Sequence, residues 1–229
     1  MLFQHGNMKK KTKQSSSQRS LKKFLRAFKK GFYDQKYLDW ERDYKLNAHL
    51  LWKEQLNKKE FERLLDEGSW QLIAKRAVNI EAKTNLLFSF EKMALRDAVK
   101  SDKGAEIFAI GLYDYVYGKN APQERFEKFT RVLAALPRKQ TRVLTWPLQT
   151  VFGFIANPEK HIFLKPQVTK HAAGFYDFPF QYRSKPNWET YQSLISFARQ
   201  IEKDFPELKP RDFIDLQSFI WVLGSPEYA

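Results

Sequence analysis

LKPRDFIDLQSFIW, residues 208–221, sets two carboxylates and an arginine beside a dense apolar run. Taken as a helix, Pro210 fits the first turn, where its missing N–H is no loss. Asp212 then lies at the positive end of the helix dipole and Arg211 pairs with a neighbouring acid. Phe213, Leu216, Ile220 and Leu223 fall on one face, with Phe219 and Trp221 beside them. That is the pattern of a buried terminal helix. The rival reading takes Asp212 and Asp215, three apart and on one side, as paired carboxylates for Mg²⁺. Such a site needs further oxygen ligands, and the sequence names none. The helical reading is preferred.

The same periodicity recurs along the chain. Asn187 suits the cap of WETYQSLISFARQIEKDF, residues 188–205, with Glu189 complementing the dipole. Tyr37, Trp40, Tyr44, Leu51 and Trp52 predict one long helix, or two joined near Asn47. Asn57 caps KKEFERLLDEG, which Gly68 closes. Trp70, Ile73, Ala77 and Ile80 continue the spacing. Leu86, Leu87, Phe90, Met93, Ala94 and Val99 predict a strongly apolar helix. Ile107, Ile110, Leu112 and Tyr115 follow, then Phe126, Phe129, Val132 and Leu133, and an apolar segment over 143–155. Residues 156–187 differ. Prolines 158, 166, 179 and 186 punctuate them, and HIFLKP and PFQYR read as a small β pair around a short helix near 167–174. The expected fold class is mainly α: a single multi-helix domain over 34–229, with an irregular, small-β insertion at 156–187.

Composition supports a folded interior. Of 229 residues 43% are hydrophobic, with 20 Phe, 10 Tyr and 6 Trp, enough aromatic surface to build a core. Nine glycines are few for an all-β chain. Cysteine is absent, which excludes disulfides, thiolate metal sites and cysteine nucleophiles and suits a reducing, cytoplasmic setting. No apolar stretch approaches the ~20 residues of a transmembrane span. The basic N-terminus lacks the apolar block of a signal peptide.

Charge is unevenly placed. The net value is +14, yet residues 1–33 hold ten Lys or Arg and no acid. The remaining 30 basic and 26 acidic residues leave the body only +4. Residues 1–17 read as a flexible basic tail carrying Lys9, Lys10, Lys11 and Lys13. Residues 18–33 read as a basic amphipathic helix. Leu21, Phe24, Leu25, Phe28 and Phe32 form its apolar face, and Arg19, Lys22, Lys23, Arg26, Lys29 and Lys30 cover the rest. Ser20 is the expected cap and Gly31 the expected end. A second basic set, Arg138, Lys139, Arg142, Lys165, Lys170, Arg183 and Lys185, is interleaved with Phe163, His171, Phe175, Tyr176, Phe180 and Tyr182.

These two sets carry the functional expectation. Clustered cations release condensed counterions from a polyanion, and aromatics beside them stack bases. The leading expectation is a nucleic-acid-binding protein, for DNA or RNA, with largely sequence-independent phosphate contacts. The amphipathic arm would also suit an acidic protein groove or, less well, an anionic membrane surface. An enzyme acting on a nucleic acid or small anion would draw its site from residues 138–215: Arg142, Lys165, His161 or His171 with Asp212. Other chemistry finds little support. Glu81-Ala-Lys83 with Asp66 upstream would suit a metal-dependent nuclease only on strands, and its neighbours read as helix. The four histidines lack ligand spacing. No phosphate-loop, dinucleotide or serine-esterase motif occurs. No cofactor is expected.

TNLLFSFEKMALRDAV (84–99), LPRKQTRVLTWPLQTVFGFIANPEKHIFLKP (136–166), PNWETY (186–191) and RDFIDLQSFIWV (211–222) together resemble an uncharacterised bacterial protein family. The resemblance spans roughly residues 40–226 and leaves out the basic arm. It implies a single bacterial domain and no catalytic residue.

Overall fold

A computed structural model describes the backbone of residues 5–137, 139 and 142–228, with side chains from Ser16 onward. Helix α1 (His5–Ala27) runs to a turn at Gly31, whose φ of +60° is one glycine adopts without strain. Asp34 then accepts from Lys36 N and starts a helix with no break at Asn47. It passes through α2 (Gln35–Tyr37), a π turn (Leu38–Arg42) and α3 (Asp43–Gln55). The π turn adds a residue to the helical repeat, and Glu41, Arg42 and Lys45 all lie buried around it.

Asn57 accepts from Glu60 N at the start of α4 (Lys58–Asp66), and Gly68, at φ +67°, closes it. Next come α5 (Trp70–Glu81), α6 (Ser89–Ala98), α7 (Asp102–Tyr117) and α8 (Pro122–Ala135). The fold is completed by α9 (Trp146–Ala156), α10 (Pro166–Tyr176), α11 (Trp188–Asp204) and α12 (Phe213–Gly224). The helices share one hydrophobic core, reaching from Phe24 to Leu223. The architecture is mainly α, in a single domain. No helix among the described residues is long and apolar enough to cross a membrane.

The opening stretch is a buried helix. Its cap is Asp212, which accepts from Ile214 N and Asp215 N, so Pro210 lies outside the first turn. α12 packs most closely on α10. A Cβ on Gly224 would come within 1.9 Å of the Val168 carbonyl, so only glycine allows that approach.

Three expectations need correction. Among the described residues there is no strand, so the β pair at HIFLKP and PFQYR does not form. Residues 161–165 and 179–183 belong to no helix or strand, and helix side chains meet alternate backbone donors. Ile162 N donates to Tyr191 Oη, Leu164 N to Thr150 Oγ1, Gln181 N to Ser193 Oγ and Arg183 N to Thr190 Oγ1. Ser20 is no cap. It lies buried inside α1 and donates to the Ser16 carbonyl at 2.9 Å. Finally, α6 does not bury its largest side chains. Its inward face is Glu91, Ala94, Leu95 and Ala98, the i, i+3, i+4, i+7 positions, while Phe90 and Met93 stand in solvent.

The amphipathic arm docks on its own body. Phe24, Phe28 and Phe32 are buried, and Phe24 packs on Phe219 of α12 at 4.8 Å between ring centroids. Lys23 Nζ reaches across to the Leu223 carbonyl at 3.1 Å. Burial, with Arg26 nearby, lowers the Lys23 pKa. The apolar face of the arm is therefore covered by α10 and α12, leaving its basic side outward.

Candidate nucleic-acid interface

A groove of about 690 Å³ opens between the start of α6, the start of α9 and the start of α10. Phe88 and Phe90 form one wall. Their rings stack at 5.5 Å and 22°, and they are 54% and 46% exposed. Glu91 fixes this wall from beneath, accepting from Phe88 N at 3.0 Å and from Thr145 Oγ1 at 3.1 Å. Those bonds tie the first turn of α6 to the first turn of α9 and hold Phe88 on the outside. Arg142 and Tyr182 also line the groove.

Lys165 sits at its floor. The ammonium donates to the Leu86 carbonyl at 2.8 Å and lies 3.4 Å from the Phe88 ring centroid. Burial lowers its pKa, against the opposing pull of Glu91 and Glu81. The same Lys165 and Phe88 line a second cavity of about 350 Å³, bounded by Trp40, Trp221 and Tyr228. That cavity has a polar base. Lys45 donates to Glu41 Oε2 at 3.2 Å and to Ser218 Oγ at 2.8 Å, and Tyr228 Oη donates to Glu41 Oε1 at 2.7 Å. Burial lowers the Lys45 pKa, while Glu41 works to raise it. Gln217 also lines this cavity. It is 4% exposed, and its Oε1 is buried without a hydrogen-bond partner.

α10 connects this region to the arm. At its start is Lys165, in its middle Lys170 lies 5.0 Å from the Tyr182 ring, and near its end Phe175 receives Lys23 at 5.2 Å and Arg19 at 6.0 Å. With a rise of ~1.5 Å per residue, these pairs spread over roughly 15 Å of helix. Lys22, Arg26, Lys29 and Lys30 are exposed, and none of them joins an ion pair among the described residues.

The other residues expected from sequence fall as follows. Arg142, Lys165 and Lys170 meet at or beside the groove. Lys139, Arg183 and Lys185 are exposed, and the Arg183 carbonyl accepts from Trp146 Nε1 at 2.8 Å. Arg138 and the side chains of Lys9, Lys10, Lys11 and Lys13 lie outside the described residues. The enzymatic set does not assemble. His161 is buried with its Nδ1 near Tyr115 Oη and Tyr191 Oη, at 3.4 and 3.3 Å. Asp212 is engaged by Arg42 at 2.7 Å. His171 is exposed on α10. Asp212 and Asp215 hold arginines rather than forming an open carboxylate pair: Arg42 Nη1 also reaches Asp215 Oδ1 at 2.8 Å. Glu81 ends α5 on a helix, not a strand. It is buried, and Lys92 lies 3.5 Å from it. Burial raises the Glu81 pKa.

Sequence reasoning missed Phe88, Lys45 and Gln217, and it read Trp40 and Phe90 as packing positions of apolar helices. A lone amide inside FIDLQSFIW was the one visible signal, because a buried Gln needs partners.

The chain matches no family model, no curated protein and no solved structure.

Proposed function

We propose that this protein binds single-stranded nucleic acid through the Phe88–Phe90 groove and the basic side of α1. One observation carries the reading. Cation–aromatic contacts recur from one end of α10 to the other, Lys165 with Phe88, Lys170 with Tyr182, and Lys23 and Arg19 with Phe175. A single strand offers both halves of what such a surface recognises: phosphates for cations and unstacked bases for exposed rings. A duplex keeps its bases stacked and would leave Phe88 and Phe90 without a role. Contacts of this kind tolerate many sequences, because every base has a π-face.

Fluorescence anisotropy with a labelled single-stranded DNA or RNA 12-mer tests it. Phe88→Ala with Phe90→Ala should weaken binding by roughly 5- to 150-fold, the effect of losing one stacked base worth ~1–3 kcal/mol. Both rings are exposed, so folding is left intact. Replacing Lys22, Arg26 and Lys29 by Gln should flatten the dependence of log K on log salt by about 2, or ~0.7 per lost phosphate contact. Unchanged affinity in the first variant together with an unchanged slope in the second would defeat the reading.

A further inference from the structure

The smaller cavity beside the groove is chemically different from it, and we infer that it takes one unstacked nucleobase, held between Trp40 and Trp221 and hydrogen-bonded by the Gln217 amide. The inference rests on the proposed strand-binding role and names a base-holding subsite within it.

Gln217 is the starting point. A buried amide oxygen without a partner is unfavourable, and native proteins leave few of them. Here the Gln217 side chain lines a cavity while its oxygen is buried, and turning the terminal amide brings that oxygen to the opening. An N–H donor entering the cavity would satisfy it. All four nucleobases carry such a donor, and the amide's own N–H₂ matches the acceptor beside it. An amide is thus able to pair along a base edge with both its atoms.

Shape and charge narrow the occupant further. About 350 Å³ lies at the small end of ligand sites, which run from roughly 300 to 1,000 Å³, and suits a single ring system. Trp40 is 58% exposed, and its ring pairs with Lys36 at 4.3 Å. Trp221 is held by its indole N–H to Glu227 Oε2 at 3.3 Å. Both rings border the cavity. Glu41 and Glu227 line it together with Lys45 and Lys165, so its charges balance. A carboxylate or phosphate would gain little there, whereas a neutral heterocycle meets polar atoms without burying a net charge. Lys165 and Phe88 belong to both cavities. A strand lying in the groove, with its phosphate near Lys165, would have a base within reach of the smaller cavity.

The test uses the full chain and two probes, free adenosine and cytidine followed by tryptophan fluorescence, and single-stranded 12-mers followed by anisotropy. The expected result is saturable quenching by at least one nucleoside, weakened tenfold or more in Gln217→Leu and unaffected in Phe90→Ala, which touches only the larger groove. Gln217→Leu removes an unsatisfied buried amide, so its thermal midpoint should not fall. Gln217→Met provides a second apolar replacement should leucine perturb packing. If the 12-mers bind but no nucleoside saturates, or both variants quench like the parent, the subsite is wrong and the strand-binding role survives. If neither nucleoside nor 12-mer binds, both fall together.

Discussion

Asp215→Ala is expected to lower the unfolding free energy by about 3–5 kcal/mol, the range for removing one partner of a buried ion pair. Asp215 is fully buried and accepts from three elements at once. Tyr37 Oη donates to it at 2.6 Å, Arg42 Nη1 at 2.8 Å, and Arg211 through its backbone N and its Nε, both at 2.9 Å. Arg42 also grips Asp212 with two bonds, at 2.9 and 2.7 Å. Burial works against the Arg42 charge, but the bond to Asp212 and the charge of Asp215 outweigh it and raise the pKa. Burial, then Asp215, pushes the Tyr37 pKa well up, so its hydroxyl stays a donor. Alanine at 215 would strand that hydroxyl and leave Arg42 with one carboxylate instead of two. Asp215→Asn should fall between alanine and the parent, because one amide oxygen cannot serve every donor. Urea denaturation measures all three. A loss below about 1 kcal/mol for the alanine variant would show that surrounding groups reorganise, contrary to the packing described here.

Acidification should weaken the fold through His161. Burial, reinforced by Arg125 and Lys160, pushes its pKa from 6.5 down to about 4. The unfolded chain takes up the proton near 6.5, the folded chain only near 4. The contribution is therefore complete above 6.5 and is lost as pH falls through that window. At ~1.4 kcal/mol per pH unit, the loss amounts to about 3 kcal/mol. Glu81 acts in the opposite sense. Its raised pKa gives a contribution present at low pH and lost as pH rises through the folded value. A paired comparison removes that background. Urea midpoints at pH 7.5, 6.0, 5.0 and 4.5 should fall more steeply for the parent than for His161→Gln. Parallel pH profiles would mean that His161 protonates without penalty.

Local signals in the sequence transferred well to the fold. Asn57 and Asn187 cap the helices their positions predict, because a cap is a bond within three residues. The 3.6 period of Phe213, Leu216, Ile220 and Leu223 marks α12, and that of Phe24 and Phe28 marks α1. What α1 packs against was not legible. An apolar stripe looks the same whether its own body or a partner covers it. α6 misled for a related reason. Its bulkiest residues, Phe90 and Met93, dominate the pattern, yet the face it buries is Glu91, Ala94, Leu95 and Ala98. The non-helical character of 161–165 and 179–183 was visible, but not that Tyr191, Thr150, Ser193 and Thr190 would stand in for a neighbouring strand. The π turn at 38–42 has no sequence signature, so the inward grouping of Glu41, Arg42 and Lys45 could not be foreseen. Of the site, the cations were read directly from charge, while the rings and the amide depended on long-range packing.

The bond from Lys23 to the Leu223 carbonyl joins residues 200 apart in the chain. At translation rates of ~5–20 residues per second, an interval of roughly 10–40 s separates the emergence of its two ends. For most of that interval the Phe24–Phe28–Phe32 stripe has only the Tyr37 ring against it, since α10 is made late and α12 last. The nascent chain thus carries a cationic, aromatic segment well before the C-terminal helices that shelter it exist.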